Sequence, residues 1–190
     1  MDGTEAEMIR SMQKGDEEAF AYLFSKYQAA AFRTAYLISG NTADSEDIVQ
    51  ETFVKCFISR KELKEPRAFQ GWLFRILTRT AWRHVKKRSK EQPAEEIWGG
   101  ESECRGDSLL EEIVEGESRE MLYKAIRGLE IKQRTAVILY YFNEFSTREI
   151  AAAMGCMEGT VKSRLYTARK NLRERLGEPE QEEQYERRIV

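Results

Sequence analysis

Residues 146–172 read STREIAAAMGCMEGTVKSRLYTARKNL. Ser146-Thr147-Arg148-Glu149 has the spacing of a capping box, in which a hydroxyl and a carboxylate three residues apart satisfy backbone amides and open a helix. Ile150 and Ala151 follow on its inward side. Gly155 comes after Met154 and is suited to the positive φ of a tight turn. A second helix runs from about Gly159, with Val161, Leu165, Ala168 and Leu172 inward. Ala151, Gly155 and Val161 stand four and six apart, the spacing of a helix-turn-helix: a small residue where the helices cross, a turn residue, and a valine locking the pair. Outward on the second helix lie Lys162, Ser163, Tyr166, Thr167, Arg169, Lys170 and Arg173. The first of these suit base edges, and the later cations suit phosphates.

Upstream, the residues again read as helices. Thr4 and Glu7 have capping-box spacing, and Asp16 before Glu17 and Glu18 is a second helix start. Phe20, Leu23, Phe24, Tyr27, Ala31, Ala35 and Ile38 then recur every three or four residues up to Gly40. Asn41 or Thr42 opens the next helix, with Ile48, Val49, Thr52, Phe53, Cys56 and Phe57 inward. Its other face carries Asp44, Asp47, Gln50 and Glu51 beside Val54 and Ile58, an acidic and apolar mixture that suits a protein partner. From Phe69 to about Arg88, Trp72, Leu73, Ile76, Leu77 and Thr80 form the inward stripe. Arg75, Arg79, Arg83 and Lys86 step by four, four and three along one face. Such a row tracks phosphates, and Phe69, Trp72, Phe74 and Trp82, interleaved with it, belong either to the core or to base stacking.

The 190 residues carry a net charge of −2, which conceals a strong segregation. Residues 75–90 hold 7 basic and no acidic side chains; 91–120 hold 2 basic and 11 acidic; 121–176 hold 11 basic and 5 acidic. Two cationic blocks flank an anionic one, as expected of two polyanion-binding surfaces joined by a segment that repels polyanions. The expected fold is all-α: two small helical domains joined by an acidic flexible linker, the C-terminal one containing the helix-turn-helix. The expected boundaries are 1–90, a linker over 91–116, 117–176, and an acidic tail over 177–190. Three cysteines lie far apart and His84 is the only histidine, so neither a disulfide framework nor a metal site is expected. No run of apolar residues approaches the ~20 of a membrane span, and the acidic start excludes a secretory signal. These features predict a reduced, cytoplasmic protein without a cofactor. No nucleophile–base pair or phosphate-binding glycine loop rises above chance, which argues against an enzyme.

Taken together, residues 8–176 resemble an extracytoplasmic-function sigma factor, a small specificity subunit of bacterial RNA polymerase. Asp44-Ser45-Glu46-Asp47-Ile48-Val49-Gln50-Glu51-Thr52-Phe53 is similar to the family's polymerase-binding helix. Phe69-Gln70-Gly71-Trp72-Leu73-Phe74-Arg75-Ile76 is similar to its promoter-melting segment, and Gly159-Thr160-Val161-Lys162-Ser163-Arg164-Leu165-Tyr166 to its upstream-element reader. The resemblance implies that Asp47, Gln50, Glu51 and Val54 meet core polymerase. It places Leu63, Lys64 and Arg67, with Arg75, Arg79 and Arg83, at the minus-ten element. Lys162, Ser163, Arg164, Tyr166, Thr167, Arg169, Lys170 and Arg173 fall at the minus-thirty-five element. It also implies an anti-sigma partner, often membrane-anchored. Glu130 stands where the family usually has proline, Met157 where serine is common, and Thr167 where arginine is common. The acidic tail has no family counterpart. From the residues alone, a stand-alone helix-turn-helix regulator and a helical protein–protein adaptor remain open.

Overall fold

The computed structural model describes residues 3–91 and 116–177. The linker expected over 91–116 and the tail expected over 177–190 thus fall almost wholly outside the described residues. Eight α-helices make up the described fold: α1 (Gly3–Lys14), α2 (Glu17–Ser39), α3 (Thr42–Ile58), α4 (Phe69–Glu91), α5 (Gly116–Arg127), α6 (Ile131–Tyr141), α7 (Thr147–Met154) and α8 (Glu158–Leu176). Two single 3₁₀ turns, Arg60–Glu62 and Pro66–Ala68, connect α3 to α4. No strand occurs among the described residues.

Local chemistry sets the helix ends. Asp16 accepts from the amides of Glu18 and Ala19 to start α2, and Gly40 closes it in the left-handed region at φ 74°. Asn41 caps α3 through the Asp44 amide at 2.9 Å. Ser146 and Glu149 form the complete reciprocal box at α7, where the hydrogen bonds from Ser146 hold the Glu149 carboxyl below the usual range. Thr4 is a correction: α1 already runs from Gly3, so Thr4 sits in its first turn rather than ahead of it. Glu130 takes over as cap where a proline is usual, its carboxylate accepting from the Lys132 and Gln133 amides at 3.1 and 3.2 Å. At Met157 the N-cap makes no side-chain hydrogen bond, as the loss of serine implies.

The apolar stripes of α1–α4 close around Ile9, Leu23, Ile38, Ile48, Leu73 and Leu77, all fully buried. Phe69 belongs to this core, edge-on to Tyr27 at 5.4 Å. Cys56 is buried there too, and burial pushes its thiol up to about 12, which leaves it unreactive at neutral pH. The C-terminal helices build on Ile138, Leu139, Ile150, Val161 and Ala168.

The two sets of helices share one continuous core. Phe74 of α4 meets Phe145 edge-on at 5.2 Å, and Thr78 donates to the Ala153 carbonyl. Trp82 is half-buried and its indole N–H donates to Thr135 Oγ1 at 2.9 Å, so this ring faces α6. Thr34 on α2 is joined to Asn143, and Arg127 donates to the Tyr36 hydroxyl. Arg134 is buried; its Nη1 donates to the Ile38 carbonyl and its Nη2 to the Leu129 carbonyl. Burial, aided by the nearby Arg127 charge, brings its guanidinium down to about 10. A cation held this way costs desolvation that its two carbonyl partners must offset.

Candidate nucleic-acid interface

The heptad-like register of α4 places its core residues on one side and leaves Arg75, Arg79, Arg83 and Lys86 exposed on the other. No fragment of the row is interrupted by a carboxylate from α4 itself until Glu91. At its middle, the row passes the turn of the helix-turn-helix: a Cβ on Gly155 would lie 3.3 Å from Arg79 Nη2. Gly155 has φ +65°, the left-handed region that favours glycine, whereas the exposed Arg79 side chain is free to shift away from an added Cβ.

In the loop preceding α4, Lys64 and Arg67 are exposed. Leu63, expected beside them as a base contact, is instead 3% exposed and packs into the N-terminal core, while its carbonyl accepts from Gln13. A leucine between two short 3₁₀ turns gains more by burial than by meeting a polar base edge, so it anchors the loop.

On α3, Asp47 and Gln50 are exposed and Val54 and Ile58 are 52% and 72% exposed, as the amphipathic reading requires. Glu51 behaves differently. Its carboxylate forms ion pairs with Lys55 at 2.8 Å and with Arg83, and is hydrogen-bonded to His84 Nε2 at 3.0 Å. The residue assigned to polymerase and one assigned to DNA therefore touch. Nearby, Arg88 pairs with Asp44 at 2.8 Å, so α3 and α4 are stitched together along a polar cleft. Burial alone would raise the Glu51 carboxyl, but hydrogen bonds from Lys55, His84 and Arg83 outweigh it and hold it at about 2. A depressed carboxyl adds stability above its unfolded value of 4.5 and loses it as pH falls toward 2. Between pH 6 and pH 3, urea unfolding should therefore show the parent losing more stability than Glu51→Gln. The difference should be below ~1 kcal/mol, because the cluster is solvent-screened.

On α8, Lys162, Ser163, Tyr166 and Lys170 are exposed, with Thr167 half-buried and its hydroxyl bonded to the Ser163 carbonyl at 3.0 Å. Thr147 of α7 holds Glu158 at 2.7 Å, fixing where α8 begins. Arg164 turns back to Cys156 Sγ at 3.4 Å, which directs it to the turn. Arg169 donates from Nε to the Tyr141 hydroxyl at 2.9 Å and lies over the rings of Tyr140 and Tyr141. Arg169 and Arg173 both line a groove shared with α5 and α6. The expectation of a uniform phosphate-facing set is thus divided, with Lys170 left as its exposed late cation. Sequence reading missed Arg134, Thr34 and Asn143 altogether. Arg134 follows Lys132 and Gln133 at the start of α6, so its sequence surroundings gave no sign of burial.

An all-α chain that pairs a helix bearing an arginine row with a helix-turn-helix has the architecture of the sigma-70 class. Residues 23–91 match the family described as Sigma-70 region 2, and residues 119–172 match Sigma-70, region 4. The chain belongs to the extracytoplasmic-function RNA polymerase sigma factors. It is 31% identical over 176 residues to the ECF RNA polymerase sigma factor SigW of Bacillus subtilis (strain 168), covering 88% of this chain and 94% of that protein. It is 32% identical over 176 residues to the ECF RNA polymerase sigma-E factor of Escherichia coli (strain K12), covering 87% and 91%. The fold is shared with CnrH in its complex with the cytosolic domain of CnrY, at TM-score 0.67 and 20% identity over 91% of this chain and 97% of that one. RpoE of Bartonella quintana, solved with the anti-sigma factor NepR, aligns at TM-score 0.66 and 27% identity over 83% and 96%. The protein is thus a transcription initiation factor. Among the described residues no helix is long and apolar enough to cross a membrane.

Proposed function

We propose that this sigma factor docks on core polymerase through Asp47, Gln50 and Val54, with Glu51 acting mainly to hold α4 against α3. It engages the minus-ten element through Lys64, Arg67, Arg75, Arg79 and Arg83, and reads the minus-thirty-five element with Lys162, Ser163, Tyr166, Thr167 and Lys170. Residues 1–90 and 117–176 act as separate units in this scheme, joined by 91–116. The carrying observation is that α4 presents an exposed arginine row on the side opposite its core stripe. The minus-ten and minus-thirty-five elements are two separate stretches of the promoter. In this scheme the α4–α7 contacts open when the two units engage the two elements. The 24 residues from 92 to 115 have a contour of about 80 Å, which permits it.

The protein works in the cytoplasm and by binding alone, with no catalytic step of its own. Each unit contributes modest affinity, and mounting both on polymerase multiplies it. An anti-sigma protein restrains it: the exposed Val54 and Ile58 offer an apolar face, and the relative from Bartonella quintana is solved with such a factor. The test is transcription from a promoter library by core polymerase with this protein added. Alongside it, Gln50→Ala with Val54→Glu should weaken core polymerase binding about tenfold or more in a titration, while circular dichroism stays at the parent value. Undiminished affinity in that variant rejects the assigned face.

A further inference from the structure

The apolar groove between α5, α6 and α8 has a volume of about 400 Å³. Leu122, Ile126, Tyr141, Leu172 and Leu176 supply its apolar wall, and Arg169 and Arg173 its cationic rim. Tyr141 is 53% exposed, so the wall is open to a ligand. No carboxylate among the described residues pairs with Arg173. An apolar trough edged by arginines fits a segment carrying carboxylates and large apolar side chains.

Such a segment is attached at the groove's own end. Leu176 lines the groove, and the next residue, Gly177, caps α8 in the left-handed region at φ 70°, a conformation that turns the chain off the helix axis. The following residues are Glu178-Pro179-Glu180-Gln181-Glu182-Glu183-Gln184-Tyr185-Glu186-Arg187-Arg188-Ile189-Val190. Pro179 opposes continuation of the helix. The first six of these residues hold four carboxylates and no cation, and Tyr185, Ile189 and Val190 supply apolar side chains. Along α8 the rim from Leu176 back to Arg169 is only about 10 Å long at 1.5 Å per residue. Thirteen residues extend up to roughly 43 Å at ~3.3 Å each, so the segment has ample reach to run back along the groove.

We propose that residues 178–190 dock into this groove of the same chain, with the glutamates on Arg169 and Arg173 and Tyr185 in the apolar trough. The segment is then an internal ligand that covers the groove against other apolar partners. This inference does not depend on which promoter or polymerase contacts are correct, because its test uses neither DNA nor polymerase.

A fluorescently labelled peptide of residues 178–190 is titrated by anisotropy against the full chain and against a variant ending after Gly177, which retains all eight described helices. A short tether holds its ligand at a millimolar effective concentration. The peptide should therefore bind the shortened protein and bind the full chain at least tenfold more weakly. In the shortened protein Arg173→Glu should weaken peptide binding at least fivefold, and a peptide with Glu180, Glu182 and Glu183 changed to lysine should recover it on that variant. Parental helicity of Arg173→Glu by circular dichroism separates lost docking from lost folding. Equal peptide binding to both proteins, no binding to the shortened one, or indifference to Arg173→Glu overturns the proposal. So does a full chain that dimerises with concentration in light scattering while the shortened one stays monomeric, because the segment would then occupy a second copy.

Discussion

Phe74→Ala is expected to destabilise the protein by about 3–5 kcal/mol, the usual cost of deleting a buried ring and leaving part of its volume empty. Phe74 is 1% exposed and lies edge-on to Phe145 at 5.2 Å, on the seam between the N-terminal and C-terminal helices. Phe145→Ala alone should cost a similar amount. The informative quantity is their coupling. An edge-to-face pair contributes about 0.5–1.5 kcal/mol beyond burial, so the double variant should lose less than the sum of the single losses by that margin. Urea unfolding of the four proteins gives the cycle directly. Strict additivity would mean that the rings do not meet in solution and that the shared core is opened there.

Joint replacement of Arg75, Arg79 and Arg83 by alanine should nearly abolish promoter opening at moderate salt. Each phosphate contact contributes about 0.7–0.9 to the slope of log affinity against log salt, so three lost contacts flatten it by roughly 2–2.7. The three guanidinium groups are exposed on one face, and removing them touches no core residue. They are not equivalent, however. Arg83 is already paired with Glu51, so binding a phosphate there must displace or share a carboxylate. Among single variants, Arg75→Ala should reduce opening more than Arg83→Ala. Permanganate reactivity of the opened strand, followed across a salt series, measures both effects. Normal opening by the triple variant would make the row a solvated surface.

Several helix ends were legible because they depend on groups within four residues of each other. Asp16 and Gly40, Asn41, and Ser146 with Glu149 carry their capping chemistry in the sequence itself. The buried faces were legible for the same reason: a 3.6-residue period assigns each side chain an angle about its own helix axis. The exposure of Val54 and Ile58 and the burial of Leu73 and Leu77 follow from that angle alone.

An angle about one axis does not say which other helix it meets, and the remaining features all depend on that. Glu51 and Arg83 are 32 residues apart and lie on different helices; only the packing of α3 on α4 makes them an ion pair. Trp82 had two chemically reasonable environments, and the arrival of Thr135 beside its indole N–H selected one. Leu63 was placed by its loop neighbours in sequence, whereas burial against α1 turned it inward. Arg134 could not be paired from sequence, because its acceptor is the Ile38 backbone carbonyl, which every residue possesses. Sequence by itself determined the helices, their apolar faces and the helix-turn-helix, since these rest on short-range geometry. Tertiary structure alone decided that α4 and α7 share a core and that Arg169 and Arg173 border a groove, since burial energy depends on surfaces brought together from distant parts of the chain.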